Sequence, residues 1–162
     1  MKRNKKIERK GTIKRATLYF DELINMDGQP VWAEGYAAHY GLVHIDEKMG
    51  AICINHGLGC VEQIGNANTG NLRKVSVEVD RSKELTLDDL SKLDAGLVYV
   101  EDDSLGGRYA LVDANQDAID LYCADTPDDE CSYSFMEADG WAKDDSIRIY
   151  ACKEVINYAV CI

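Results

Sequence analysis

Apolar and polar residues alternate in short stretches along most of this chain. A period of two predicts strands, because successive side chains of a strand point to opposite faces. The cleanest case is Leu72 to Asp80, where Val75, Val77 and Val79 fall on one face and Lys74, Ser76, Glu78 and Asp80 on the other. That pattern predicts a single strand with one solvated face. Ala16 to Met26 holds Leu18, Tyr19, Phe20, Leu23 and Ile24 and runs into Asp27-Gly28. Both turn positions tolerate positive φ, so a hairpin is expected there, with Pro30 limiting how early the returning strand can donate to its ladder. Gly41 to Asp46 and Gly50 to Asn55 predict a second strand pair, and the Gly- and Asn-rich run from His56 to Asn71 predicts a long loop.

One stretch has the helical period instead. Leu87, Leu90 and Leu93 form a stripe, Thr86 can cap the first turn, Asp88 and Asp89 suit its positive end and Gly96 fits the stop, which together predict a helix over 86–95. Beyond it, Leu97 to Val100, Arg108 to Asp113, Ala118 to Cys123, Cys131 to Met136, Ile147 to Cys152 and Val155 to Ile162 read as strands between turn-prone residues. The expected class is α+β, mostly antiparallel short strands and hairpins with that one clear helix. Gly41 to Asp46 resembles Gly96 to Glu101, and Ser146 to Tyr150 is a weaker third copy, so degenerate strand, helix and hairpin repeats over 16–60, 72–115 and 117–162 are a further reading.

Composition narrows this picture. A chain of 162 residues with 46% hydrophobic residues has the size and apolar content of one folded domain. No apolar run is long enough to span a bilayer, and the basic start is not followed by a signal-peptide core, so a soluble cytoplasmic protein with no membrane partner is expected. Charge is distributed unevenly. Residues 1–15 carry eight Lys or Arg and one Glu and read as a flexible basic arm, leaving 16–162 as a single compact acidic domain. Glu84 to Asp145 carries eighteen Asp or Glu against Lys92, Arg108 and Lys143, a formal −15.

Candidate chemistry is sparse. His39, His44, Cys53, His56 and Cys60 are residue types that zinc prefers, and His44, Cys53, His56 and Cys60 are the set that could reach one ion, with His39 the alternative imidazole. The same cluster would serve a small metal-dependent or thiol enzyme, for instance Cys60 with His56 as base. No CxxC is present, and a thiol in an apolar strand is more simply a small core residue. Asp113 to Asp117 begins like a calcium loop, but Ala118 and Ala124 stand where Gly and a bidentate Glu are required. The glycines at 57, 59, 65 and 70 lack the Gly-Lys-Ser/Thr of a phosphate loop. No cofactor is therefore expected.

The charge points to a function class. So acidic a body repels a nucleic-acid backbone, whose binding needs cations, and attracts the basic surface of a nucleic-acid-binding protein. Carboxylates on alternate strand residues lie ~7 Å apart, comparable with phosphates along a polynucleotide. The leading expectation is a non-enzymatic acidic interaction protein that mimics nucleic acid, the logic of phage-encoded inhibitors of restriction and CRISPR nucleases. Its contact residues would be Glu101, Asp102, Asp103, Asp113, Asp117, Asp120, Asp125, Asp128, Asp129 and Glu130, with Trp141 as an aromatic anchor. A homo-oligomer joined through the basic arm of one copy and the acidic surface of another is also compatible with this charge.

Overall fold

The computed structural model describes residues 12–34, 38–65, 69–93, 96–127, 129–139, 143–155 and 158–159. Strands β1 (Thr12–Ile13), β2 (Pro30–Ala33), β3 (His39–Asp46), β4 (Ala51–Gly57), β5 (Cys60–Ile64), β6 (Leu72–Arg73), β7 (Val77–Glu84), β8 (Leu97–Asp102), β9 (Gly106–Ala114), β10 (Ala118–Cys123), β11 (Tyr133–Met136), β12 (Ile147–Glu154) and β13 (Tyr158–Ala159) dominate it. Helices α1 (Phe20–Leu23) and α2 (Leu87–Ser91) are each shorter than two turns. With 53% strand and 9% helix among the described residues, the fold is β-rich, which corrects the α+β expectation and its clear helix.

The correction has local causes. At α2 the capping chemistry forms as the sequence implies: Thr86 Oγ1 accepts from the Asp89 amide at 3.0 Å, and Asp89 Oδ2 accepts from the Thr86 amide at 2.9 Å. The helix nevertheless stops at Ser91, where the Lys92 and Leu93 amides turn back to the Asp89 and Leu90 carbonyls. A helix this short has no independent stability and persists through what it covers. Only Leu87 and Leu90 are fully buried, enough for a plug on the sheet but not for a longer rod. In the first hairpin expected from sequence, Phe20–Leu23 is helical and Asp27-Gly28 turns α1 into β2, with the Gly28 amide donating to Val43 O at 2.7 Å and Asp27 Oδ1 accepting from the Ile45 amide at 2.9 Å. The expected long loop contains a strand, β5, because Gly57, Leu58 and Gly59 all take positive φ and fold the chain back at once.

Two antiparallel sheets account for nearly all of these strands. One has the order β11-β10-β9-β8-β12-β7 and the other β5-β4-β3-β2-β6, while β1 pairs only with β13. The clean alternation of Leu72 to Asp80 spans both sheets: Leu72–Arg73 pairs with β2, and Val77 onward pairs with β12. Alternation fixes which way side chains point, but not which sheet receives them.

The sheets lie face to face. Leu42 of β3 meets Leu97, Leu111 and Tyr122 of the larger sheet, with Tyr40, Val77 and Tyr109 around them. The outer face of the larger sheet (Val98, Val100, Ala110, Val112, Ile119, Leu121, Ile149) is covered by Leu87 and Leu90. Leu18 and Leu23 cover the corresponding face of the smaller sheet. Two polar locks fix the sheets to each other. Asn55, fully buried, donates from Nδ2 to the carbonyls of Cys123 at 3.0 Å and Thr126 at 3.2 Å. Arg15 grips Glu154 of β12 with two 2.8 Å bonds, lies 4.0 Å over the Trp32 ring, and leaves Glu154 to accept from the Tyr40 hydroxyl at 2.7 Å. Arg15, the last residue of the expected arm, is thus tied into the domain, whereas residues 1–11 lie outside the described ones. No helix among the described residues is long and apolar enough to cross a membrane.

Candidate interaction surface

From Tyr109 to Ala142 the sequence has no Lys or Arg and nine Asp or Glu. The fold turns this linear bias into a spatial one, since β9, β10 and β11 form one end of the larger sheet and Arg81, Lys83, Arg148 and Lys153 lie on β7 and β12 at the other. Several acidic groups nearer the basic end are neutralised, although Glu78, Asp80, Asp144 and Asp145 form no ion pair among the described residues. Glu101 pairs with Arg81 and lies 3.8 Å from Arg148, Asp103 pairs with Arg148 at 2.9 Å, and Glu84 pairs with Lys143 at 3.0 Å.

At the far end most of the carboxylates have no cationic partner. Asp113, Asp117, Asp120, Asp129 and Glu130 form no ion pair among the described residues. Register places Asp113 directly opposite Asp120, and Asp120 opposite Ser134, whose hydroxyl donates to Asp120 Oδ1 at 2.6 Å. Like charges facing each other across two strands work against folding, so this row is not explained by stability. Asp117 sits in the tight β9–β10 turn, where Asn115 Oδ1 accepts from the Asp117 and Ala118 amides at 2.8 and 3.0 Å. The oxygen of the calcium-like segment is therefore used to fold its own turn. Asp129, at φ 65°, donates its amide to Gly59 O at 2.9 Å and ties its loop to the β4–β5 hairpin. A Cβ on Gly59 would stand only 3.0 Å from Asp129 Cα, so glycine is required for that approach.

The remaining expected contacts fall elsewhere. Asp102 is only 8% exposed and accepts from the Tyr133 hydroxyl at 2.6 Å and the Ser104 hydroxyl at 2.8 Å. These donors hold its carboxyl down at about 2. Asp125 is exposed but paired with Arg108 at 3.0 Å. Asp128 and Trp141 lie outside the described residues.

The His and Cys cluster divides into two. His44 and Cys53 are cross-strand neighbours, with His44 Nδ1 3.6 Å from Asp27 Oδ1. His56 lies toward the other end of β4, its Nδ1 2.8 Å from His39 Nε2 and its Nε2 2.8 Å from Glu62 Oε1. Among the described residues no three His, Cys, Asp or Glu side chains converge to hold a metal ion. His39, His56 and Cys60 instead line a cavity of about 400 Å³ at the junction of the sheets, with Tyr40, Leu58, Leu111, Tyr122 and Asp113. Burial pushes the Cys152 thiol up to about 12 and raises Cys123 and Cys53 as well, Cys53 with help from Asp46. Sequence reasoning missed Glu62, assigned to a loop, although Val61 and Ile64 flank polar residues in a short edge-strand pattern. No protein-family model matches the chain, and neither a curated protein nor a solved structure matches it.

Proposed function

We propose that this protein is a non-enzymatic acidic interaction protein whose β9–β11 end docks on the basic, polynucleotide-binding surface of another protein. The observation that carries this reading is the unpaired row of Asp113 and Asp120, with Asp117, Asp129 and Glu130, on an end of the sheet whose one Lys or Arg, Arg108 of β9, is taken up by Asp125. A field of one sign speeds encounter with a basic partner and orients it. Each of β9 and β10 carries one carboxylate of this row, Asp113 and Asp120, so the mimicry rests on negative charge concentrated across neighbouring strands rather than on a phosphate-like repeat along one of them. Inhibition of a nuclease such as a restriction or CRISPR enzyme is one role such a mimic would fill.

The test is affinity capture from a cell extract on the immobilised protein. Retained proteins should be nucleic-acid-binding, should elute with salt and should be displaced by added double-stranded DNA or RNA. Retention that resists both competitors would refute mimicry.

A second reading, a thiol enzyme, draws on the Glu62–His56–His39 chain of hydrogen bonds beside Cys60, since a carboxylate that orients a histidine base is a recurring catalytic arrangement. Cys60→Ala separates the two: it should leave capture unchanged, whereas a thiol enzyme would lose all turnover.

A further inference from the structure

We propose that the cavity beside the acidic row receives an arginine side chain of the basic partner, an inference that rests on the docking role above and assigns that surface its anchoring pocket. Three features converge there. First, its volume of about 400 Å³ lies within the range of ligand sites and far exceeds the ~30 Å³ of a water. Second, its walls are rings and apolar groups: Tyr40, Tyr122, His39 and His56, with Leu111 and Leu58. The Tyr40 hydroxyl is committed to Glu154 at 2.7 Å, so what Tyr40 offers the cavity is ring surface. Third, Asp113 lines it, half-buried and with no hydrogen bond or ion pair among the described residues.

A carboxylate without a counter-charge beside aromatic walls selects for a cation. Of the two long basic side chains, the guanidinium is planar, less strongly hydrated and stacks on aromatic faces, whereas the ammonium holds its water more tightly. Leu58 marks the rim. It is 70% exposed at φ 56°, in a backbone region that β-hairpin tips normally give to Gly or Asn. An apolar side chain held out at such cost adds contact area at the mouth of the pocket.

The chain has only three histidines, and one of them, His44, is remote from this cavity, which makes their ring signals a built-in reporter. Wild-type protein is titrated by NMR with an oligo-arginine peptide and with an oligo-lysine peptide of equal length. The His39 and His56 ring signals should shift with the arginine peptide and much less with the lysine peptide, while His44 stays in place. Ala38 also lines this cavity. In anisotropy measurements Ala38→Leu, which narrows it without adding a ring, and Asp113→Asn should weaken the arginine peptide by about tenfold. Ala38→Leu should leave the lysine peptide within about twofold. If both peptides bind in a salt-sensitive way but His39 and His56 remain still and Ala38→Leu has no selective effect, the pocket assignment is wrong and the acidic docking surface stands. If neither peptide binds, the docking surface itself is refuted.

Discussion

Asp102 and Asp113 show how differently Asp residues behave in this protein. Asp102 is consumed by the fold: Tyr133 and Ser104 satisfy it and hold its pKa at about 2, below the ordinary value of 3.8. A depressed acid pKa stabilises the folded state above the unfolded value and loses that contribution as pH falls through the folded one. Urea midpoints of the wild type should therefore drop between about pH 4 and pH 2, and Asp102→Asn should be less stable at neutral pH but flatter across that window. Asp113 is the opposite case, with no partner and a like charge across the ladder. Asp113→Asn should raise thermal stability by about 0.2–1 kcal/mol while weakening the binding of basic ligands. A loss of stability would show that Asp113 has a structural role instead. Thiol reactivity follows the same environmental logic. Cys60 is exposed, whereas Cys123 is buried and burial holds Cys152 at about 12, so a thiol reagent at pH 8 should modify Cys60 long before Cys123 or Cys152.

At the scale of elements, the two sheets are held by few polar contacts, which makes their loss expensive. Glu154 is 7% exposed and Arg15 13%. Burial alone would raise the Glu154 pKa, but the Arg15 fork and the Tyr40 hydroxyl bring it below the ordinary value. Arg15→Ala strands that charge between the sheets and should cost about 3–5 kcal/mol by chemical denaturation, and Arg15→Met with Glu154→Leu should recover much of it. An equal cost for the single and double variants would show that the unpaired Glu154 charge is not what destabilises the single one. These contacts also show what sequence could reveal. Strand positions such as Gly41 to Asp46, Ala118 to Cys123 and Ile147 to Cys152 were legible because alternation is a local property. The division of Leu72 to Asp80 between sheets was not, since the same valines satisfy either, and neither was the arrest of α2 at Ser91, where the sheet beneath sets the length. Likewise, the acidic bias of residues 84–145 was plain in the sequence. Which members of it remain free was decided by partners from distant segments: Arg81 and Arg148 at Glu101, and Tyr133 at Asp102.

For the molecule as a whole, the net charge of −11 matters less than its arrangement. The order β11-β10-β9-β8-β12-β7 sorts a sequence bias into an acidic end and a partly compensated end. Such a field acts over roughly a Debye length, ~8 Å at physiological salt, so a partner senses the face it approaches rather than the total. The most direct test compares two variants with the same change in net charge. One carries Asp113→Asn, Asp117→Asn, Asp120→Asn and Glu130→Gln; the other carries Glu84→Gln, Asp88→Asn, Asp144→Asn and Asp145→Asn. Binding of an oligo-lysine peptide, followed across a salt series, should collapse in the first and stay within about twofold of wild type in the second. Equal weakening in both would show that the peptide reads overall charge, and that the β9–β11 end is no binding face.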